Sequence, residues 1–252
     1  MKIYVVTHES VNIDLPVDYE LFQVGATVNG VFCEYNDAVG EDNISAKNPN
    51  YCELTAAYWI WKNDHENDIV GLMHYRRFLT CSRLSNANKY WLNTKQVECM
   101  LHNGYDFIAG PLFKNKPSVK HTLLNTVYEK DYRLLREIFK KIYPGLLCAF
   151  DNVFEGKYTY LCNIFIATKK EWDEYYSWLF TIFDEMEKHV DMTGYNAQEK
   201  RLYGYLAERL FTIYVIAFNK KVKSFRLIYP RVRVPFIKRV IRKLKRIINK
   251  ND

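Results

Sequence analysis

Short apolar runs alternate along this chain with longer stretches of helical spacing. Lys2 to Thr7 is apolar, β-branched and aromatic and stops at His8-Glu9-Ser10, the pattern of a buried strand. Leu21 to Val24 predicts a second short strand ending at Gly25, and Gly30 to Gly40, with little periodicity, predicts a loop. Asn50-Tyr51-Cys52-Glu53 has the form of a capping box, with Asn50 as cap and Glu53 at the third helical position. Leu54, Ala57, Tyr58 and Trp61 follow at helical spacing, up to a polar turn from Asn63 to Asn67. Ile69 to Tyr75 is apolar on both faces and predicts a central strand.

The alternation continues. Tyr105 to Ala109 predicts a strand closed by Gly110-Pro111. Asp131 to Ile142 predicts an amphipathic helix ended by Pro144-Gly145. Tyr158 to Thr168, reading YTYLCNIFIAT, predicts a further strand, and two long helices follow over Glu171 to His189 and Ala197 to Phe218. This order predicts the α/β class, a central mixed, partly parallel sheet flanked by helices. One domain is expected over 1–230 and a C-terminal amphipathic helix within 231–252. In that tail Pro235 suits a first helical position. Phe236, Ile237, Val240, Ile241, Leu244, Ile247 and Ile248 form one face, and lysines and arginines the other.

Charge sharpens the picture of the tail. The net charge is +7, yet residues 231–252 hold nine Lys or Arg against Asp252 alone, which leaves the rest of the chain at −1. A basic amphipathic helix fits the interface of an anionic membrane, where each basic residue contributes about 1 kcal/mol. A helix docked on its own domain and a nucleic-acid arm are the alternatives; the near-neutral body and the continuous apolar face argue against nucleic acid. The six cysteines form no C-x-x-C pair and no zinc spacing, so reduced thiols in a cytosolic protein are expected. The start, MKIYVVTH, is strand-like, unlike a signal peptide, and no apolar run approaches a membrane span. The expected location is cytoplasmic, peripheral on the inner face of the cell membrane.

Ligands of open α/β sheets bind beyond the carboxyl ends of the strands. His74-Tyr75-Arg76-Arg77 falls there, and two guanidinium forks suit the oxygens of a diphosphate; the plainer alternative is a solvated basic turn. Asn43, Ser45, Lys47 and Asn48 are a polar run before a helix start, explained as a turn and cap, with Lys47 also a candidate for a phosphate or sugar hydroxyl. Arg201, Gly204 and Glu208 fall near one face of an apolar helix, where a charge must be paired or functional. Glu208 leads as a general base. Asp151, read in a loop beside Asn152, is its rival. Asn163, inside the predicted strand, needs a partner: a neighbouring loop or the hydroxyls of a sugar. No Asp-x-Asp occurs, and none of the Glu-x-Asp pairs just follows a strand. A strand-end divalent metal is therefore not expected, and the arginines would carry the positive charge.

Several segments together resemble the DUF4422 family, bacterial glycosyltransferases of capsule, O-antigen and exopolysaccharide synthesis. They are IYVVTH, VGA at 24–26, DNISAKNPNYCELTAAYWIWKN at 42–63, GLMHYRRF at 71–78, YLCNIFIA at 160–167, WLFTIFDEME at 178–187 and RLYGYLAERL at 201–210. The resemblance implies a GT-A-like fold and a UDP-sugar donor; the absent Asp-x-Asp departs from the usual metal-dependent GT-A pattern, so no cofactor is expected to be required. One branch of the family is similar to inverting β-1,3-galactofuranosyltransferases, which implies UDP-galactofuranose and a lipid-linked glycan acceptor. Thr7, His8 and Gly25 would then line the uridine pocket. Asn48, His74, Asn163 and Arg201 would join the substrate-binding residues, and Arg76, Arg77 and Lys47 would stabilise the departing UDP. A non-catalytic glycan- or membrane-binding scaffold is the alternative.

Overall fold

A computed structural model describes residues 1–40, 42–82 and 91–229. The strands are β1 (Lys2–Thr7), β2 (Tyr19–Gln23), β3 (Ile69–His74), β4 (Phe78–Thr80), β5 (Phe107–Ala109), β6 (Leu112–Lys114), β7 (Tyr158–Tyr160), β8 (Phe165–Thr168), β9 (Val222–Ser224) and β10 (Arg226–Ile228). The helices are α1 (Ala26–Asn29), α2 (Asn48–Tyr51), α3 (Leu54–Asn63), α4 (Thr94–His102), α5 (Val119–Leu123), α6 (Glu129–Ile142), α7 (Leu147–Glu155), α8 (Lys169–Glu187) and α9 (Leu202–Ala217).

The main sheet has the order β2-β1-β3-β8-β5-β9. β1 pairs in parallel with β2 and β3, and β5 with β9, while β8 runs antiparallel to both β3 and β5. Five strands thus point one way and β8 the other. The register sets Phe165, the first residue of β8, opposite Leu72 and Ala109. The segment leading into β8 therefore stands at the same edge as the carboxyl ends of its neighbours.

Both faces of the sheet are covered, which is why its strands read as apolar runs. Tyr4, Val6, Leu72, Phe107 and Phe165 pack into one core with residues of α3 and α6 to α9. Ile3, Val5, Met73, Ile108 and Ile166 pack on the other side with Trp91, Val97 of α4, and Phe78 and Ile228 of the β4–β10 ribbon. The mixed α/β architecture expected from the sequence is the one observed. The tail, residues 231–252, lies outside the described residues.

Four local expectations are corrected. β2 begins at Tyr19 and is longer at its start than its apolar run. The stretch 158–168 is two strands, because Cys162 and Asn163 adopt φ of 77° and 47° between them; Asn163 is therefore in a loop. Asn50 does not cap a helix: it lies inside α2, and Cys52, at φ 54°, separates α2 from α3. Asp151 is not in a loop but in α7.

Gly71 sits where β3 meets β8, and a Cβ there would come within 2.7 Å of Ile166 Cγ1, a fully buried β-branched side chain. Gly71→Ala is expected to cost about 1–3 kcal/mol by overpacking. Thermal unfolding should show a Tm several degrees lower; an unchanged Tm would contradict this packing.

Candidate active site at the carboxyl edge of the sheet

A buried carboxylate organises the entrance to this edge. Asp37, fully buried, accepts hydrogen bonds from the backbone N–H groups of Gly25 (2.6 Å) and Ala26 (3.0 Å) and from the hydroxyls of Ser45 and Thr55 (both 2.5 Å). It binds the end of β2 to the polar run before α2 and to α3. Gly25 has φ 69°, and a Cβ there would lie 2.5 Å from Asn48 Oδ1, so the turn requires glycine. Asn48 in turn donates through Nδ2 to the Cys52 carbonyl at 2.7 Å.

The next layer centres on Glu53, which is 9% exposed. Its Oε1 accepts a 2.7 Å hydrogen bond from Asn163 Nδ2, and His74 Nε2 lies 3.8 Å from the same oxygen. Asn163 Nδ2 also donates to the Gly204 carbonyl at 3.2 Å. His74 Nε2 is 2.9 Å from the Cys162 carbonyl, and since a carbonyl only accepts, that nitrogen carries the proton. Burial, then the Arg77 charge, push His74 down to about 3, so the ring is neutral. Burial raises Glu53, opposed by the Asn163 bond and by Arg201 and Arg77.

Helix α9 closes the site from the side. Glu208 Oε1 accepts from the Cys162 N–H at 2.8 Å, and Oε2 pairs with Arg209 Nη1 at 2.5 Å. One turn further, Thr212 Oγ1 accepts from the Tyr160 N–H at 2.9 Å. These bonds satisfy backbone donors outside the sheet and explain why the 158–168 run breaks. Burial raises Glu208, with Arg209 opposing. Arg201 Nε approaches Cys52 Sγ at 3.1 Å, and a Cβ at Gly204 would lie 3.2 Å from the same sulfur. Three of the non-glycine residues with positive φ, Cys52, Cys162 and Asn163, thus gather around one acid. Such strain persists only where surrounding contacts hold it, and it clusters at functional sites.

Most residues singled out in the sequence meet here. Thr7 and Gly25 are adjacent, since the Val24 N–H donates to the Thr7 carbonyl. His8 packs edge-on to Tyr75, whose hydroxyl donates to Glu9, and Arg76 lies over the Tyr75 ring. His74 to Arg77 form a tight turn, with the Arg77 N–H donating to the His74 carbonyl. Neither Arg76 nor Arg77 pairs with a carboxylate among the described residues. Lys47 is drawn elsewhere: its ammonium pairs with Glu187 at 2.7 Å. Asp151 faces α6, where Arg136 grips both its oxygens, and this pairing holds its carboxyl below the usual range. Glu53 is accounted for in the sequence by the capping-box pattern, without a site role. Its one sequence signal was a carboxylate inside a run that otherwise buries. Among the described residues no three His, Cys, Asp or Glu side chains gather as a metal centre needs, and no helix is long and apolar enough to cross a membrane.

A mixed α/β sheet with a guanidinium-rich carboxyl edge is the class that fold and site define. The chain belongs to the family described as a domain of unknown function, DUF4422, which it matches over residues 2–220. It is similar to the apo structure of the bifunctional glycosyltransferase WbbM, with a TM-score of 0.82 and 32% identity, over 91% of this chain and 45% of that one. The chain thus spans less than half the length of that protein. Comparison with curated proteins gave no match.

The neutral His74 has a consequence for stability. Its proton affinity falls from an ordinary 6.5 to about 3 on folding. Between those values the unfolded chain binds more protons, so stability drains as pH falls through this window. Glu53 and Glu208, both raised, act in the opposite sense above the ordinary glutamate range. His74→Gln should therefore lose less Tm than the wild type between pH 6.5 and 4. Parallel pH profiles for the two proteins would contradict a buried neutral imidazole.

Proposed function

We propose that this chain is a glycosyltransferase that moves a hexose from a UDP-sugar to a hydroxyl of a glycan acceptor. One observation supports this above all. The Arg76 and Arg77 guanidinium groups, which pair with no carboxylate among the described residues, and a buried acid stand together at the carboxyl edge of a sheet similar to that of part of a bifunctional glycosyltransferase. In the transfer the acceptor oxygen bonds to the anomeric carbon while the bond to the diphosphate breaks. Arg76 and Arg77 meet the charge that grows on the leaving diphosphate, where fixed positive groups do most for the rate. Thr7, His8 and Gly25, at the ends of β1 and β2, suit the nucleoside end of the donor. His74, Asn163 and Arg201 shape the opposite wall, and Asn48 supports Gly25 from behind.

Galactofuranose is the proposed sugar, transferred with inversion to form a β-1,3 linkage. The acceptor is a lipid-linked glycan of capsule, O-antigen or exopolysaccharide synthesis. These finer points rest on the family resemblance. The basic pattern of 231–252 fits an enzyme working at the inner face of the membrane, where such an acceptor is held.

The test is UDP release by the purified protein over a panel of UDP-sugars, UDP-galactofuranose included, with glycan acceptor and with or without EDTA. Turnover with one donor, surviving EDTA, is expected. Arg76→Ala, exposed and safe for folding, should lower kcat on the order of 10²-fold. No release from any donor, or full activity in Arg76→Ala, would contradict the proposal.

A further inference from the structure

We infer that Glu53 is the general base of the transfer and that Glu208 is a positioning residue that shapes the loop opposite it. This rests on the glycosyl-transfer reading above. The two carboxylates differ in what their oxygens do. Both oxygens of Glu208 are engaged, one by the Cys162 N–H and the other by Arg209. Arg209 is 5% exposed and also donates to the Tyr205 carbonyl. Proton transfer to either oxygen of Glu208 would weaken the bond that oxygen already accepts from a buried donor.

Glu53 is built the other way. Oε1 is fixed by Asn163 and Glu53's own backbone N–H also reaches the carboxylate, while no other residue holds Oε2 among the described residues. Asn163 orients the group through one oxygen and leaves the other without a partner from another element among the described residues. The backbone around it is held in costly conformations at Cys52 immediately before it, and at Cys162 and Asn163 facing it. His74, neutral and with its Nε2 proton committed to the Cys162 carbonyl, does not neutralise the carboxylate.

The step balances without a further reagent. The acceptor hydroxyl gives its proton to Glu53 Oε2 as its oxygen bonds to the anomeric carbon. The bond from that carbon to the diphosphate breaks, and its electron pair leaves with UDP. Glu53 then returns the proton to water. The charged and titratable groups around Glu53 are His74 and Arg77 of the β3 turn, Arg201 just before α9, Glu208 of α9, and Tyr176 of α8. The thiols of Cys52 and Cys162 lie beside it and are raised by burial to about 11, so they stay protonated. Burial also raises Glu53, which places its titration closer to neutrality than an exposed glutamate.

The experiment compares wild type, Glu53→Gln, Glu53→Asp and Glu208→Gln for transfer, for UDP affinity by calorimetry, for Tm and for the pH profile of kcat/KM. Glutamine at 53 keeps an oxygen for Asn163, so the loop stays anchored and only the base is lost. Glu53→Gln should lose on the order of 10²- to 10⁴-fold in kcat with unchanged UDP affinity. The acidic limb of the wild-type pH profile should vanish with it, and Glu53→Asp should restore part of both. Glu208→Gln should raise the donor KM and lower Tm while kcat falls far less. Wild-type kcat in Glu53→Gln, or an acidic limb that persists there, would overturn the assignment. So would a kcat loss in Glu208→Gln that matches Glu53→Gln at unchanged Tm. A wild type that releases UDP from no donor overturns the transferase reading itself; an active wild type with an active Glu53→Gln overturns the assignment alone.

Discussion

The hydrogen bond from Asn163 Nδ2 to Glu53 Oε1 is the contact on which this edge of the molecule depends. It joins the loop before the one antiparallel strand of the main sheet to the start of α3. A buried carboxylate without a partner would be expensive, and a left-handed Asn without anchors would relax. Each makes the other tolerable. The same amide reaches the Gly204 carbonyl, so α9 is drawn to the same point, and His74 is held against the loop through the Cys162 carbonyl. Four segments far apart in sequence therefore converge on one acid.

A second carboxylate, Asp37, does the corresponding work one layer out. It satisfies two backbone donors just past β2, the Ser45 hydroxyl before α2 and the Thr55 hydroxyl within α3. Both its oxygens are taken up by these four donors, which tie β2, the run before α2 and α3 together. The contrast with Glu53 is instructive. Polar groups whose bonding capacity is used up shape the site, and those with one side left open are the ones available for chemistry. Lys47, Asp151 and Glu208 are each paired as well, with Glu187, Arg136 and Arg209.

Sheet strands with apolar runs were legible in the sequence because burial on both faces leaves no ambiguity about what they do. β1 and the core of β3 follow directly from it, as do the bodies of α6, α8 and α9. What could not be read were the places where a long-range bond overrides a local pattern. YTYLCNIFIAT has the composition of one strand, but Glu208 and Thr212, some 50 residues on, divert its N–H groups and split it. NYCE has the letters of a capping box, but Cys52 turns left-handed and frees Glu53 to face Asn163. Asp151, beside Asn152 after an apolar stretch, reads as loop, but both residues lie in α7. The arginines after β3 were legible because their position at a strand end, not their contacts, marks them.

The most direct measurement is a crystal structure of the protein with UDP bound. The account predicts the diphosphate against Arg76 and Arg77 at the carboxyl edge of β3, the uridine toward the ends of β1 and β2, and Glu53 Oε2 open toward the sugar side. UDP bound at another face of the molecule, or a diphosphate out of reach of both arginines, would contradict it.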